Sequence, residues 1–454
     1  MKDEEEFRTG IFSCGEKDYT FALKNFKFLI MDPSKESINF LPNRESSSLF
    51  SDEQGAIYGS TYDAHSIAIY APNFKCNIDG YRILRTDNYL IRQANICPHP
   101  QDVFLSFNTI EFYGGTLSKV FSPKALSVKA ETKDETILKT SDDSIDFSFM
   151  YNGSLCEVSV YSSISRSYSA SIKSIENSII CLSMHFVTPQ RMSDVFTHYH
   201  NIRQLLSFMV FRKNITFDKV CLCNLSDDIP PKRNNEWRFY AKDKGSETRK
   251  STINCITFSD ISACLSNLVT LLYSNVDKKP SYLLDFIPNE DADVGRFSDE
   301  IIKSICSSLE CEISFSKIPD SEEAIRIKAL SKKVKDFIKK YYSENPPFSN
   351  KTKYKISSNI QYWGMATADQ VCYLYNQYKD AIKAIPPHIV LSEDDIADFI
   401  KFRNDITHGS YRTGNMQISK SCYALEALVY CRILSRAGLD NVAIQELCIH
   451  KLMR

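Results

Sequence analysis

The fold of the C-terminal part is indicated most clearly by residues 320–347, which read DSEEAIRIKALSKKVKDFIKKYYSENPP. Apolar residues recur in this stretch at intervals of three and four, the spacing of one face of an amphipathic helix. They are Ile327, Leu330, Val334, Phe337 and Tyr341. The acidic start at 320–323, just after Pro319, and Asn345-Pro346-Pro347 mark the two ends of a predicted helix.

Downstream of this stretch the pattern remains helical. Further helices are predicted over 367–384, which ends before Pro386-Pro387, over 416–437 and over 442–452. Another begins at Ser392 with acids in its first turn, where they favour the positive end of the helix dipole, and ends near Gly409. Residues 286–454 are therefore predicted to form an all-α helical bundle.

Upstream of residue 285 the chain has the alternation of β-strands. Short alternating runs bounded by Gly, Pro, Asn, Asp and Ser occur at 19–23, 66–70, 103–107, 146–150 and 157–161. They predict an antiparallel sandwich or barrel-like domain over 1–285, with one helix near 192–209. Residues 215–217 and 219–222 are also strand-like, 226–252 are expected to form a surface loop or hairpin excursion, and 281–299 are expected to form the junction. The predicted class is a multidomain α+β protein.

Length and composition agree with a globular protein of two or three domains. The chain has 454 residues, 43% of them hydrophobic and 24% charged, and a formal net charge of -1. A molecule-wide attraction to nucleic acid is excluded, so any such contact requires a local basic patch. The acidic N-terminus lacks the apolar run of a secretory signal, and no stretch is long enough to span a membrane. Together with 15 scattered cysteines this favours a reducing cytoplasm.

No metal or cofactor is predicted. Cys97-Pro98-His99 and the pair Cys221 and Cys223 are the tightest Cys/His groupings, and neither has the paired spacing of a structural zinc site. His198 and His200 would converge on a strand and diverge on a helix.

Three polar residues near the end of the helix that begins at Ser392 suit metal-free RNA cleavage. Asn404 and His408 are four residues apart and share a helix face, with Arg403 on the adjacent flank. Histidine moves protons near neutral pH, and arginine offers a fixed cation to a phosphate as negative charge develops. Asn404 would hold the histidine ring or a phosphate oxygen. The alternative is an accidental spacing, with a helix C-terminal histidine interacting only with the dipole.

Residues 402–409, FRNDITHG, resemble the R-x(4-6)-H signature of HEPN domains, in which a polar residue usually follows the arginine. The N-terminal part resembles that of ApeA-type proteins. Residues 56–63, AIYGSTYD, and 108–112, NTIEF, are similar to two segments of that family.

The resemblance implies a ribonuclease of bacterial anti-phage defence, toxic to its host through abortive infection, that cuts structured RNA such as tRNA. It implies Arg403 and His408 as the catalytic pair and Asn404 as a supporting residue. It also implies pairing of HEPN domains in a homodimer or higher homo-oligomer. No residue of the β-rich domain is assigned a function, and its expected role is to sense a phage-derived trigger or to hold the nuclease inactive.

A basic stretch with interleaved aromatic residues fits an RNA partner. Basic side chains follow phosphates and aromatic faces stack on unpaired bases. The candidate RNA-binding residues are Lys332, Lys333, Lys335, Lys339, Lys340, Tyr342, Lys351 and Lys353. The equally weighted alternative is a solvated helix face with Tyr341 in the core.

Two other function classes remain open. One is a non-catalytic HEPN-like module that binds RNA, a nucleotide or a partner protein without cutting anything. The other is a carbohydrate-binding β-sandwich on a helical scaffold, although no clustered aromatic and acidic sugar-binding motif occurs in the β-rich part.

Overall fold

The computed structural model divides the chain into two compact units. Unit 1 comprises 1–273 and 289–291, and unit 2 comprises 274–288 and 292–454. The residues that the structure describes are 8–14, 17–24, 26–31, 57–62, 66–70, 75–79, 81–85, 88–94, 106–121, 127–132, 135–139, 144–168, 173–229, 231–242, 248–274, 284–319, 322–344, 352, 367–409, 414 and 416–451.

Unit 1 is built on antiparallel strands. In chain order they are β1 Arg8–Cys14, β2 Lys17–Lys24, β3 Lys27–Met31, β4 Ile57–Thr61, β5 Ser66–Tyr70, β6 Lys75–Asp79, β7 Tyr81–Arg85, β8 Asn88–Ala94, β9 Ser106–Tyr113, β10 Ser127–Thr132, β11 Glu135–Lys139, β12 Ser144–Tyr151, β13 Ser154–Tyr168, β14 Lys173–Arg191, β15 Lys219–Leu225 and β16 Arg233–Ala241. Three α-helices accompany them among the described residues: α1 Leu117–Val120, α2 Val195–Val210 and α3 Leu265–Ser274.

Fourteen of these strands form one hydrogen-bonded sheet. Its order is β12-β13-β14-β9-β15-β16-β8-β5-β4-β1-β2-β3-β7-β6, and β10 pairs with β11 in a separate ribbon. The prediction of an antiparallel β-rich domain is confirmed by this order. Alternation along a strand reports which residues face the core, but it does not report which strands pair.

The core of unit 1 lies between the sheet and α2. Alternation on β9 places Phe112 on the face toward α2 and Glu111 on the other face. Tyr199 of α2 packs against Phe112, with ring centroids 6.4 Å apart, and against Phe239 of β16 at 4.8 Å. Most apolar residues that predicted this helix are buried, among them Ile202 and Leu206. The predicted helix near 192–209 is thereby confirmed.

The main error of the sequence analysis in unit 1 concerns 226–252. The predicted hairpin is present, because this stretch contains β16, which pairs antiparallel with β15, but β16 is an inner strand between β15 and β8 and not a surface excursion. Trp237 and Phe239 are buried, while Glu236 and Arg238 alternate with them on the other face, to which a register shift also brings Arg233. The strand was not predicted because charged residues outnumber apolar residues in 226–252, and its buried apolar residues lie on one face only. The stretch 215–217 is not a strand, α3 was not predicted, and 103–105 lie outside the described residues.

Unit 2 is helical in its described residues. Its helices are α4 Asp299–Ser314, α5 Glu322–Glu344, α6 Thr367–Ala384, α7 Glu393–Thr407, α8 Met416–Ala437 and α9 Asn441–Lys451. The bounds of α6 and α8 coincide with the prediction. Helix α8 is the centre of the unit, because it packs against α4, α6, α7 and α9 and buries residues on nearly every side.

Helix α5 differs from the core-facing helix that its apolar spacing suggests. Its buried residues are Ala324 and Ser331, whereas Leu330, Phe337 and Tyr341 are 52%, 66% and 45% exposed. Tyr341 is therefore not in the core. Within the described part of the chain, no helix combines the length and the apolar character that a membrane crossing demands.

Candidate active site

Helix α7 is held at its first turn by local hydrogen bonds. The Ser392 hydroxyl accepts a hydrogen bond from the backbone N–H of Asp395 at 3.2 Å, and the Ser392 N–H donates to the Asp395 carboxylate at 2.8 Å. Burial raises the pKa of Asp395, but the hydrogen bonds with Ser392 outweigh it and bring the pKa below its ordinary value. Ile396, Phe399 and Phe402 are buried and fix which face of α7 points outward.

The last turn of α7 leaves His408 open to solvent. His408 follows the final helical residue, and its N–H still donates to the carbonyl of Asn404 at 3.0 Å. The next residue, Gly409, has a φ of +76°, a left-handed conformation that glycine adopts at low cost and that ends the helix. Because the chain leaves the helix axis there, the imidazole of His408 is exposed.

The Arg403 guanidinium is held between α7 and α4. Its Nη2 lies 3.1 Å from Oε1 of Glu310 on α4, and its Nη1 donates to Oδ1 of Asn404 at 3.1 Å. The Arg403 side chain is 24% exposed and that of Glu310 is 48% exposed. Nε of Arg403 is buried and finds no partner among the described residues. The guanidinium is thus oriented on one side and accessible on another.

Cys306 shows how close the Arg403 charge comes to the body of α4. Burial raises the pKa of this thiol to about 12, and the positive charge of Arg403 opposes that rise. The thiol is therefore protonated at neutral pH and is not a nucleophile.

The three predicted residues differ in their contacts with one another. Arg403 and Asn404 are in contact, while the His408 ring makes no hydrogen bond or ion pair within the described ranges. The Asn404 side chain contacts the arginine, and its contact with the histidine ring or a phosphate oxygen stays a prediction. The sequence analysis missed Glu310, because nothing in the local pattern of α4 distinguishes it from other exposed acids.

A buried ion pair anchors α4 beside this site. Oε1 of the fully buried Glu312 accepts a hydrogen bond from Nη1 of Arg436 on α8 at 2.5 Å. Burial raises the pKa of Glu312, and the charge of Arg436 opposes that rise. Arg432, one turn earlier on α8, donates to the Ser316 hydroxyl at 2.6 Å. These contacts fix the end of the helix that carries Glu310.

The basic candidates on α5 fall on two flanks. At about 100° per residue, Lys332, Lys335 and Lys339 lie on one flank, and Lys333 and Lys340 lie on another. Lys335 and Tyr342 are half-buried and the other described lysines of the set are exposed. Lys351 and Lys353 lie outside the described residues.

Histidine and cysteine side chains do not converge on a metal in the part of the chain that the structure describes. No group of three or more His, Cys, Asp or Glu side chains suitable for a metal ion occurs there. His198 and His200 lie on α2, where His198 is buried and His200 is exposed. Cys221 and Cys223 are buried in β15 as free thiols. Cys97 and His99 lie outside the described residues.

Residues 108–112 have a structural role in unit 1. The Asn108 side chain accepts from the N–H of Leu225 at 2.8 Å and donates to its carbonyl at 2.9 Å, joining β9 to β15. The buried Glu111 accepts from Arg233 at 2.5 Å and from the Tyr113 hydroxyl at 2.7 Å. Burial and this carboxylate raise the pKa of Tyr113. These contacts stabilise the centre of the sheet.

Comparison of the chain with models of known protein families, with curated proteins and with solved structures finds no match. The likeness to HEPN and ApeA-type proteins therefore rests on the quoted residues 402–409, 56–63 and 108–112.

Proposed function

We propose that this chain is a metal-independent endoribonuclease of the HEPN class. The observation that carries the proposal is the Arg403 guanidinium, held by Glu310 and Asn404 at the end of α7, where His408 is exposed. A fixed, partly accessible cation and a histidine on the same helix end are the groups that attack of a ribose 2'-hydroxyl on the adjacent phosphate requires.

In the proposed reaction His408 accepts the proton of the 2'-hydroxyl as its oxygen attacks the adjacent phosphorus. A bond forms between that oxygen and phosphorus, the bond from phosphorus to the 5'-oxygen breaks, and the departing oxygen takes a proton from an imidazolium. Arg403 stabilises the negative charge that builds on the phosphate oxygens. The products are a 2',3'-cyclic phosphate and a 5'-hydroxyl, and neither water nor metal is consumed.

The reaction uses a base and an acid, whereas His408 is one group per chain. Two copies of α7 facing one cleft supply both, so the proposed active unit is a homodimer or a higher homo-oligomer. The likeness to ApeA-type proteins extends the proposal to cytoplasmic, anti-phage cleavage of tRNA or other structured RNA. Unit 1 is then the part that receives a phage-derived trigger.

The test is cleavage of total tRNA by the purified full chain, with and without EDTA and with and without phage lysate. Arg403→Ala and His408→Ala are expected to abolish cleavage and toxicity while the protein stays folded. Lys401→Ala on the same helix and His450→Ala on α9 are matched exposed controls that should cut normally. Strict Mg²⁺ dependence, or products without a cyclic phosphate, would refute the proposal.

The second candidate is a non-catalytic module that binds RNA, a nucleotide or a partner protein. The ion pair between Arg403 and Glu310 favours it, because such a contact also gives the arginine a purely structural role. RNA that is bound and left intact, with the trigger present, would select this candidate.

A further inference from the structure

Helix α5 has an outward face that its packing does not explain. Ala324 and Ser331 are buried on one side, while Leu330, Phe337 and Tyr341 form a row on an adjacent flank and are largely exposed. Among the described elements, α5 forms no extensive contact with another helix. Exposed apolar side chains that follow one row of a helix mark an interaction surface more often than isolated ones do.

Two aromatic rings lie near the end of this row. Phe337 and Tyr341 have ring centroids 6.2 Å apart with planes inclined at 30°, a stacked pair. Phe337 is 66% exposed, so much of its ring is open to solvent. An exposed aromatic face is suited to stacking on another flat π-system.

A row of cations runs beside the aromatic pair. Arg326, Lys333 and Lys340 are seven residues apart, so they follow the same side of the helix as Leu330 and Phe337. Arg326 lies 3.9 Å from Glu322 and Lys340 lies 3.9 Å from Glu344. Both are exposed pairs of low strength, which an incoming anion can replace.

We propose that this ridge, defined as Arg326, Leu330, Lys333, Phe337, Lys340 and Tyr341, binds single-stranded RNA. Unpaired bases stack on Phe337 and Tyr341, and the phosphates between them lie against the cations. Glu322, Asp336 and Glu344 lie on the same side of α5, but the helix as a whole carries seven basic and four acidic residues, and this net positive charge complements a polyanion. The inference deepens the proposed ribonuclease function by restricting its substrates to RNA with unpaired segments.

Duplex RNA is a poor ligand for such a surface. Its bases are stacked inside the helix and offer no free face, and its grooves are read by shape. The ridge therefore favours loops and single strands, and its lysines supply the salt-dependent part of the affinity.

The experiment measures binding of a labelled single-stranded RNA, and of the same strand annealed to its complement, to the full chain. All proteins carry His408→Ala, so that the RNA stays intact. Phe337→Ala is expected to weaken single-strand binding about tenfold, as the loss of one stacking platform does. Lys333→Ala is expected to lower the salt slope of the affinity by about one. Phe337→Trp should retain the affinity.

Matched controls lie away from the ridge on the same helix. Ile325→Ala removes another exposed apolar side chain, and Lys328→Ala removes a cation from the opposite flank; both should bind RNA as the parent does. Equal binding of duplex and single strand, or unchanged binding by Phe337→Ala, overturns the inference. So does a ridge variant that changes only the oligomeric state or the capture of an acidic protein.

The outcome is separable from that of the proposed function. If the chain has no nuclease activity but its single-strand binding depends on Phe337, the proposed ridge stands and the proposed ribonuclease function fails. If the Phe337→Ala variant cuts RNA normally and binds single strands as the parent does, the proposed ribonuclease function stands and the proposed ridge fails.

Discussion

Replacing Glu310 by glutamine is the sharpest test of how Arg403 is positioned. The substitution keeps the size of the side chain and removes the charge that lies 3.1 Å from Nη2 of Arg403. Because Glu310 is 48% exposed, solvent screens the pair, and its loss should lower the free energy of unfolding by about 1 kcal/mol or less. If the ion pair orients the guanidinium for catalysis, a misplacement of about 1 Å costs up to roughly a hundredfold in rate.

We therefore expect Glu310→Gln to lower kcat at least about tenfold, with KM and the thermal midpoint nearly unchanged. The assay is cleavage of tRNA under saturating substrate, paired with thermal unfolding of the same samples. Glu300→Gln, an exposed acid on the same helix, is the matched control. An unchanged kcat with a lowered midpoint would make Glu310 structural. A raised kcat would mean that the ion pair restrains Arg403.

The remaining predictions concern stability. His198 is buried among aromatic rings, and burial lowers its pKa from 6.5 to about 3. Its neutral form contributes full stability above pH 6.5 and loses it as the pH falls toward 3, because the unfolded chain takes up the proton first. Between pH 7 and pH 5, the free energy of unfolding of the parent should fall by about 2 kcal/mol more than that of His198→Phe, measured by urea unfolding. An equal fall in the two proteins would contradict this. Glu312→Gln removes the charge of a carboxyl whose pKa burial raises, so the free energy of unfolding should change by less than about 1 kcal/mol, whereas a loss of about 3 kcal/mol would show that the ion pair with Arg436 is strongly stabilising.

How much the sequence predicted depends on the range of the interactions involved. The end of α6 and the first turn of α7 follow from local signals, namely the proline pair after α6 and the capping serine and acids at the start of α7. Strand β16 was missed because only one of its faces is apolar, and its inner position comes from pairing with β15 and β8. The contact between Arg403 and Asn404 is local, yet its orientation depends on Glu310 from another helix.

The amino-acid sequence by itself determined where α6, α7 and α8 begin and end, and it placed Arg403, Asn404 and His408 at one helix end. Helical hydrogen bonds join residues four apart, so the residues that begin and end a helix lie near its ends in the sequence. Only the tertiary structure decided that Phe337 faces solvent, that His198 is buried and that Glu310 holds Arg403. Each of these depends on which distant segments pack together, and a periodic pattern records that a face is apolar without recording what covers it.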